Sequence, residues 1–193
     1  MIKLNRPACP YPQALTNSDY KHPKNKEALK NASYDKCMYC ESKISHIDFA
    51  HVEHIKPKAQ GKFPHLEFVW DNHGYACPKC NNAKSDKYFN GCEFINPYDE
   101  NPSEHFITMG AFLYQKQGSE RGELTIKEIE LNRVDLVEKR SSRLSDIQKA
   151  IDRCFRTSNL TLKSYALAAL KEEAKEDKEY SMFIKALFDS HGL

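Results

Sequence analysis

Four of the seven cysteines fall into two pairs of one spacing, Cys37-Met-Tyr-Cys40 and Cys77-Pro-Lys-Cys80. Two intervening residues let the chain turn tightly enough for both sulfurs to face one ion. Two such pairs supply four thiolates, the ligand set of a tetrahedral zinc site. A closed four-sulfur site has no open position, so the Zn2+ it implies is structural. The odd cysteine total argues against a disulfide framework. Cys9, Cys92 and Cys154 read as ordinary thiols, at least partly buried. The segment between the pairs, 41–76, is longer than a minimal zinc ribbon needs, so something is built between the knuckles. Three stretches there and in the second knuckle stand out: Val52-Glu53-His54-Ile55-Lys56-Pro57-Lys58, Trp70-Asp71-Asn72 and Cys80-Asn81-Asn82-Ala83-Lys84-Ser85-Asp86-Lys87.

These residues need elements to position them. Residues 1–22 carry three prolines and read as an irregular arm with at most one short strand, 1–4. Residues 23–33 suit a short helix with Pro23 in its first turn. Residues 48–56 alternate loosely, with Phe49, Val52 and Ile55 in β-favouring positions, and Pro57 ends that strand. A connection with a short helix near 66–70 leads to a second strand, 73–77. Pro78 opens a helix carrying Cys80, Asn81, Lys84 and Ser85. Past residue 90, 96–102 is loop chemistry. The segments 105–115 and 123–131 read as two strands of a hairpin. From 132 the pattern is helical: Val137, Leu144, Ile147, Ile151 and Cys154 share one face, and further helices fit 160–177 and 179–189.

Composition bounds the function. Lys and Arg total 29 against 27 Asp and Glu, a net charge of +2. A general polycation is excluded, so nucleic-acid binding must come from a local patch. No stretch approaches a membrane-spanning length of about 18 apolar residues. The start, MIKLNRPACPYP, has no apolar core of a secretory signal, and a cytoplasmic location is expected.

The order of these stretches resembles the HNH endonucleases with the ββα-metal fold, of the zinc-stapled kind. The family pattern is an acidic residue followed by His on the first strand, an Asn after the connecting loop, and a Cys-Asn-x-x-Lys helix. Each is present in order over about 35–88. More loosely, the whole chain resembles the small HNH proteins paired with an ATPase in Septu-type and retron-associated anti-phage defence. That likeness rests on the Cys-x-Tyr-Cys-Glu knuckle, Glu-His-Ile-Lys-Pro-Lys, Ile95-Asn96-Pro97 and the helical tail. It implies a defence nuclease controlled by an ATPase partner.

The residues support such chemistry on physical grounds. Phosphodiester hydrolysis needs a base for water, a divalent cation, and stabilisation of the leaving oxygen. His54 is the candidate base, because imidazole titrates near neutrality. Glu53 and Asn81 offer hard oxygen ligands for Mg2+ or Mn2+. Adjacent residues on a regular strand point to opposite faces, so Glu53 and His54 require a bend or strand end. By the resemblance, Asn72 bonds to backbone, holds the loop and orients His54. Lys56, Lys58, Lys84 and Lys87 are the candidates to meet phosphates of DNA, or of RNA such as tRNA, although each taken singly reads first as a solvated lysine. His51 shares a strand face with Glu53. It reads first as a hydrogen-bonded structural histidine, with an extra metal or substrate contact as the alternative. Glu stands where the family often has Asp, and Asn81 where it often has His, which favours a hard ion.

The expected protein is therefore α+β: an arm (1–34), a zinc-stapled HNH core (35–92), a loop and β-hairpin extension (93–131), and a helical tail (132–193) able to bind a partner. The competing reading is a zinc-stabilised module that binds nucleic acid or protein without cutting.

Overall fold

The computed structural model describes residues 1–44 and 50–193. The start of the expected first strand, 48–49, lies outside the described residues. The arm forms two helices, α1 (Pro12–Thr16) and α2 (Pro23–Ala32), each opened by a proline in its first turn. No strand forms at 1–4; instead Leu4 N–H bonds to the Pro97 carbonyl at 2.8 Å.

Two short strands follow, β1 (His51–His54) and β2 (His73–Ala76), paired antiparallel with His54 opposite His73 and Glu53 opposite Gly74. The first knuckle lies on the free edge of β2, where Met38 N–H bonds to the Tyr75 carbonyl at 2.9 Å. Gly74 is required there, since a Cβ would run into the Met38 sulfur. Between the strands are two short 3-10 turns, Pro64–Leu66 and Trp70–Asn72, in place of one helix at 66–70. Helix α3 (Pro78–Lys84) begins at the second knuckle and packs on β1, completing a ββα unit.

The later chain departs from expectation in two elements: the segment 105–115, expected as one strand, folds back on itself to form both strands of the hairpin, and 123–131 contributes no strand. The hairpin is β3 (Phe106–Met109) and β4 (Phe112–Gln115), turning at Gly110, whose φ of +56° suits glycine. The segment 123–131, expected as the second strand, instead lies largely in helix α4 (Glu120–Glu128), which also takes in the end of the expected turn. The reason is capping. Ser119 accepts from Gly122 N–H at 3.1 Å, and Glu120 and Glu123 sit in the positive first turn. Helices α5 (Val134–Arg156), α6 (Leu160–Lys171) and α7 (Ser181–Ser190) complete the chain. On α5, Ile147, Ile151 and Cys154 are buried.

Of the two buried apolar clusters among the described residues, the larger spans the chain, and Ile147, Ile151, Ile184 and Phe188 form the smaller. Met38, Tyr39, Val52, Tyr75, Ile95, Phe106, Leu136, Tyr180 and Phe183 belong to a single buried cluster. The tail therefore shares its core with the knuckle. Polar contacts reinforce the joint: Tyr180 Oη lies 2.9 Å from Ser42 Oγ, Ser181 Oγ donates to Glu41 Oε2 at 2.8 Å, and Lys36 donates to the Glu176 and Lys178 carbonyls. Helix α6 differs, with no buried residue; Leu160, Leu162 and Tyr165 are exposed. Among the described residues, no helix is long and apolar enough to cross a membrane.

Candidate active site

The four knuckle cysteines converge. Cys77 caps α3, and its sulfur accepts from Cys80 N–H at 3.5 Å. The sulfurs of Cys37, Cys40, Cys77 and Cys80 all lie within 4.8 Å of one another, with Cys40 and Cys77 3.9 Å apart. A tetrahedron of ~2.3 Å Zn–S bonds puts sulfurs about 3.8 Å apart, so the donor set fits zinc. Arg133 donates to the Cys80 sulfur at 3.4 Å, a cation suited to a thiolate-rich centre.

On the same ββα unit, β1 and α3 bring the sequence-singled residues face to face. Glu53 is 1% exposed. Its Oε1 takes the Lys84 ammonium at 2.7 Å and the Tyr39 hydroxyl at 3.2 Å, leaving Oε2 as the second carboxylate oxygen. Burial raises the carboxyl above its ordinary range, and Lys84 and then Tyr39 offset only part of that rise. Two residues earlier, His51 Nδ1 lies 2.9 Å from Asn81 Nδ2. Lys84 is as buried as Glu53 and also donates to the His54 carbonyl at 2.8 Å. In this arrangement Lys84 faces the protein interior.

His54 is the last residue of β1, where the strand pairing ends, and the strand end lets it share a cleft with Glu53. Its Nε2 lies 3.0 Å from the Glu67 carbonyl oxygen. A carbonyl only accepts, so Nε2 carries the proton and Nδ1 keeps its lone pair. His73, across the strand pair, donates its own Nε2 to the same oxygen at 2.8 Å. The two rings meet edge to face, with centroids 5.0 Å apart, and Tyr20 packs against His54 at 4.7 Å. Burial lowers the His54 imidazole to about 4, with His73 and Lys58 acting in the same sense and the Glu67 carbonyl opposing.

Asn72 is buried and works on backbone. Its Oδ1 accepts from Lys56 N–H at 2.7 Å, and its Nδ2 donates to the Lys56 and Leu66 carbonyls at 2.9 and 3.1 Å. It thus ties the segment just after His54 to the connection that supplies Glu67. Among the lysines, Lys56 is exposed. Lys58 pairs with Glu67 at 2.5 Å and donates to Tyr20 Oη at 3.1 Å. Lys87 pairs with Glu128 at 3.0 Å, away from the cleft.

A cavity of about 810 Å3 unites the site, lined by His51, Glu53, His54 and Asn81 on one side and by Tyr20, Lys21 and Lys26 of the arm. Lys58 also lines it, whereas Lys56, Lys84 and Lys87 do not. The arm residues, Glu67 and His73 carry no motif that points to the site. Only His73, one strand length after the connection, had a position that strand pairing could have suggested.

Comparison with known proteins agrees with this geometry. Residues 37–87 match the family model described as HNH endonuclease. The chain is 30% identical to the Septu protein PtuB of Bacillus mycoides (strain KBAB4), covering 77% of this chain and 68% of that protein. It is 34% identical to the Septu protein PtuB of Bacillus thuringiensis over 62% of this chain and 45% of that one. A Vibrio cholerae (serotype O1 biovar El Tor) protein named for retron Vc95 is 32% identical over 42% of this chain and 41% of its own length. With a zinc-fitting sulfur cluster on a ββα unit, the chain belongs to the HNH endonuclease family, as a relative of the PtuB proteins.

Proposed function

We propose that the protein cuts DNA with His54 as general base. The observation that carries this is the orientation of His54: Nε2 is committed to the Glu67 carbonyl, Nδ1 keeps a lone pair, and the ring lines one cavity with Glu53 and Asn81. The depressed basicity keeps the ring neutral near pH 7, ready to accept a proton from water. Asn72 and the Glu67 carbonyl hold the ring, so its angle is fixed before substrate arrives. Glu53 through Oε2 and Asn81 through Oδ1 fit as hard donors for Mg2+ or Mn2+, which when bound supplies charge neutralisation at the phosphate and the leaving oxygen. Lys58, with Lys21 and Lys26 of the arm, offers positive charge to the phosphate backbone along the cavity. A site that reads phosphate geometry also accommodates RNA, including tRNA.

The defence setting and an ATPase partner are proposed from the PtuB relatives. Exposed Leu160, Leu162 and Tyr165 on α6 give a partner an apolar surface. One observation favours the alternative of a non-catalytic binding module: Glu53 is already neutralised by Lys84. The experiment is incubation of the purified, zinc-loaded protein, alone and with a co-encoded ATPase, with plasmid and with total RNA. Mg2+, Mn2+ and EDTA are compared, with His54→Ala as control. Cleavage that needs the divalent ion and falls about 100- to 10,000-fold in His54→Ala supports the nuclease reading. Binding without cleavage under every condition overturns it.

A further inference from the structure

We propose that His51 is a positioning residue for Asn81: by accepting one amide N–H it turns the carboxamide oxygen toward the cleft. This rests on the reading above, in which Asn81 and Glu53 share a divalent ion. The contact is Asn81 Nδ2 to His51 Nδ1, 2.9 Å.

The oxygen and the NH2 of a carboxamide have nearly the same shape, so packing alone barely distinguishes them. A hydrogen-bond partner at one fixed side does. Asn81 sits in the first turn of α3, directly after the zinc-fitting Cys80, and its N–H bonds to the Cys77 carbonyl at 3.0 Å. The backbone is thereby anchored, and the side-chain flip is the freedom that remains. The reversed amide would aim N–H groups at a cation and lose the donor oxygen. His51 and Glu53 project from one face of β1 toward α3. Each ion-holding side chain thus has its own holder: Lys84 for Glu53, His51 for Asn81. Nδ1 as acceptor requires the ring proton to reside on Nε2.

The test uses zinc-loaded full-length protein, long-range nitrogen–proton NMR of the imidazole, and Mn2+ affinity by electron paramagnetic resonance. Wild-type His51 is expected in the Nε2–H form. His51→Leu, which has no acceptor, should weaken Mn2+ binding about 10- to 100-fold, the usual effect of losing a ligand's supporting hydrogen bond. His51→Asn, whose Oδ1 lies where Nδ1 lies, should restore most of it. In an Asn81→Asp background His51→Leu should change affinity by less than about twofold, because a carboxylate has no wrong way round. An Nδ1–H tautomer in the wild type overturns the proposal. So does an equal loss in the Asn81→Asp background, or failure of His51→Asn to outperform His51→Leu at equal zinc content. The Nε2–H form together with Mn2+ binding that is indifferent to Glu53→Gln and Asn81→Ala upholds the amide orientation and refutes the ion reading.

Discussion

Lys84 Nζ lies 2.7 Å from Glu53 Oε1, and both side chains are sealed from solvent. A lysine from the helix neutralises the carboxylate of the strand inside the protein, and also caps the His54 carbonyl. Removing only the lysine leaves a buried charge without a partner. Lys84→Met should cost about 3–5 kcal/mol, read by urea unfolding of zinc-loaded protein. Adding Glu53→Gln should recover much of that loss. A single variant as stable as wild type would show that the carboxyl is not charged there.

The His54 imidazole, lowered from 6.5 to about 4, sets the pH behaviour. Burial disfavours its cation, so the unfolded chain takes up that proton at higher pH than the folded one. This contribution to stability is complete above pH 6.5 and declines as pH falls toward about 4. With His54 as the proposed base, the same displacement moves the acid limb of kcat/KM. The rate should hold on the acid side of 6.5 and fall only as pH nears about 4. A pH–rate profile with its midpoint at the ordinary histidine value would contradict the burial of the base.

Zinc should hold the ββα unit together. Four thiolates within 4.8 Å of one another repel and desolvate unless a cation joins them. Thiol modification or strong chelation should release about one zinc per chain, counted by a metallochromic dye. Far-ultraviolet circular dichroism and melting should report loss of the core in step with release. Weak chelation should stop cleavage without moving the melting temperature, because the proposed hard ion on Glu53 and Asn81 would exchange readily.

Glu41 ties the knuckle to the tail. Burial alone would raise its carboxyl, but the Met1 amino group at 2.6 Å, Lys36 at 3.6 Å and the Ser181 hydroxyl bring it down to about 2. Its contribution is present above the ordinary carboxylate value of 4.5 and is lost as pH falls toward 2. Glu41→Gln should cost about 1.5–3 kcal/mol. Hydrogen exchange should quicken at 176–182, the segment that lies on the knuckle. Unchanged exchange there would mean that the apolar contacts of Tyr180 and Phe183 suffice.

Leu160, Leu162 and Tyr165 of α6 are exposed, whereas Leu170 of the same helix packs on the second apolar cluster, so those three side chains can be changed without touching a core. A triple substitution, Leu160→Ser, Leu162→Ser and Tyr165→Ser, should leave melting and zinc content unaltered. It should weaken co-purification with the proposed ATPase partner at least about tenfold. Full retention of the complex would move the partner surface elsewhere. Truncation near residue 130 is a poorer test, because it removes Leu136, Tyr180 and Phe183 from the shared core.

Much was legible in the sequence because it is written in local spacing. Two CxxC pairs predict a sulfur cluster wherever the fold brings them together. Pro57 and Pro78 bracket strand and helix, and the fixed order of Glu53, His54, Asn72 and Asn81 points to one kind of nuclease core. The segment 123–131 reads as a strand because Leu124, Ile126 and Ile129 suit both periodicities, yet most of it folds into helix α4. The Ser119 cap and the acidic first turn decided it. The lysines show the same limit. A charged side chain looks alike in sequence whether it meets phosphate or a buried carboxylate, and Lys84 meets the carboxylate.

By itself the sequence determined which groups are available: four thiolates, an imidazole beside a carboxylate, a carboxamide on a helix. Only the tertiary structure decided which atom of each group is free. The Glu67 carbonyl, from a connection without a motif, takes Nε2 of His54 and leaves Nδ1. His51 takes one side of the Asn81 amide, and Lys84 takes one oxygen of Glu53. Such choices depend on hydrogen bonds between residues distant in the chain, and their directions are set by packing, not by spacing.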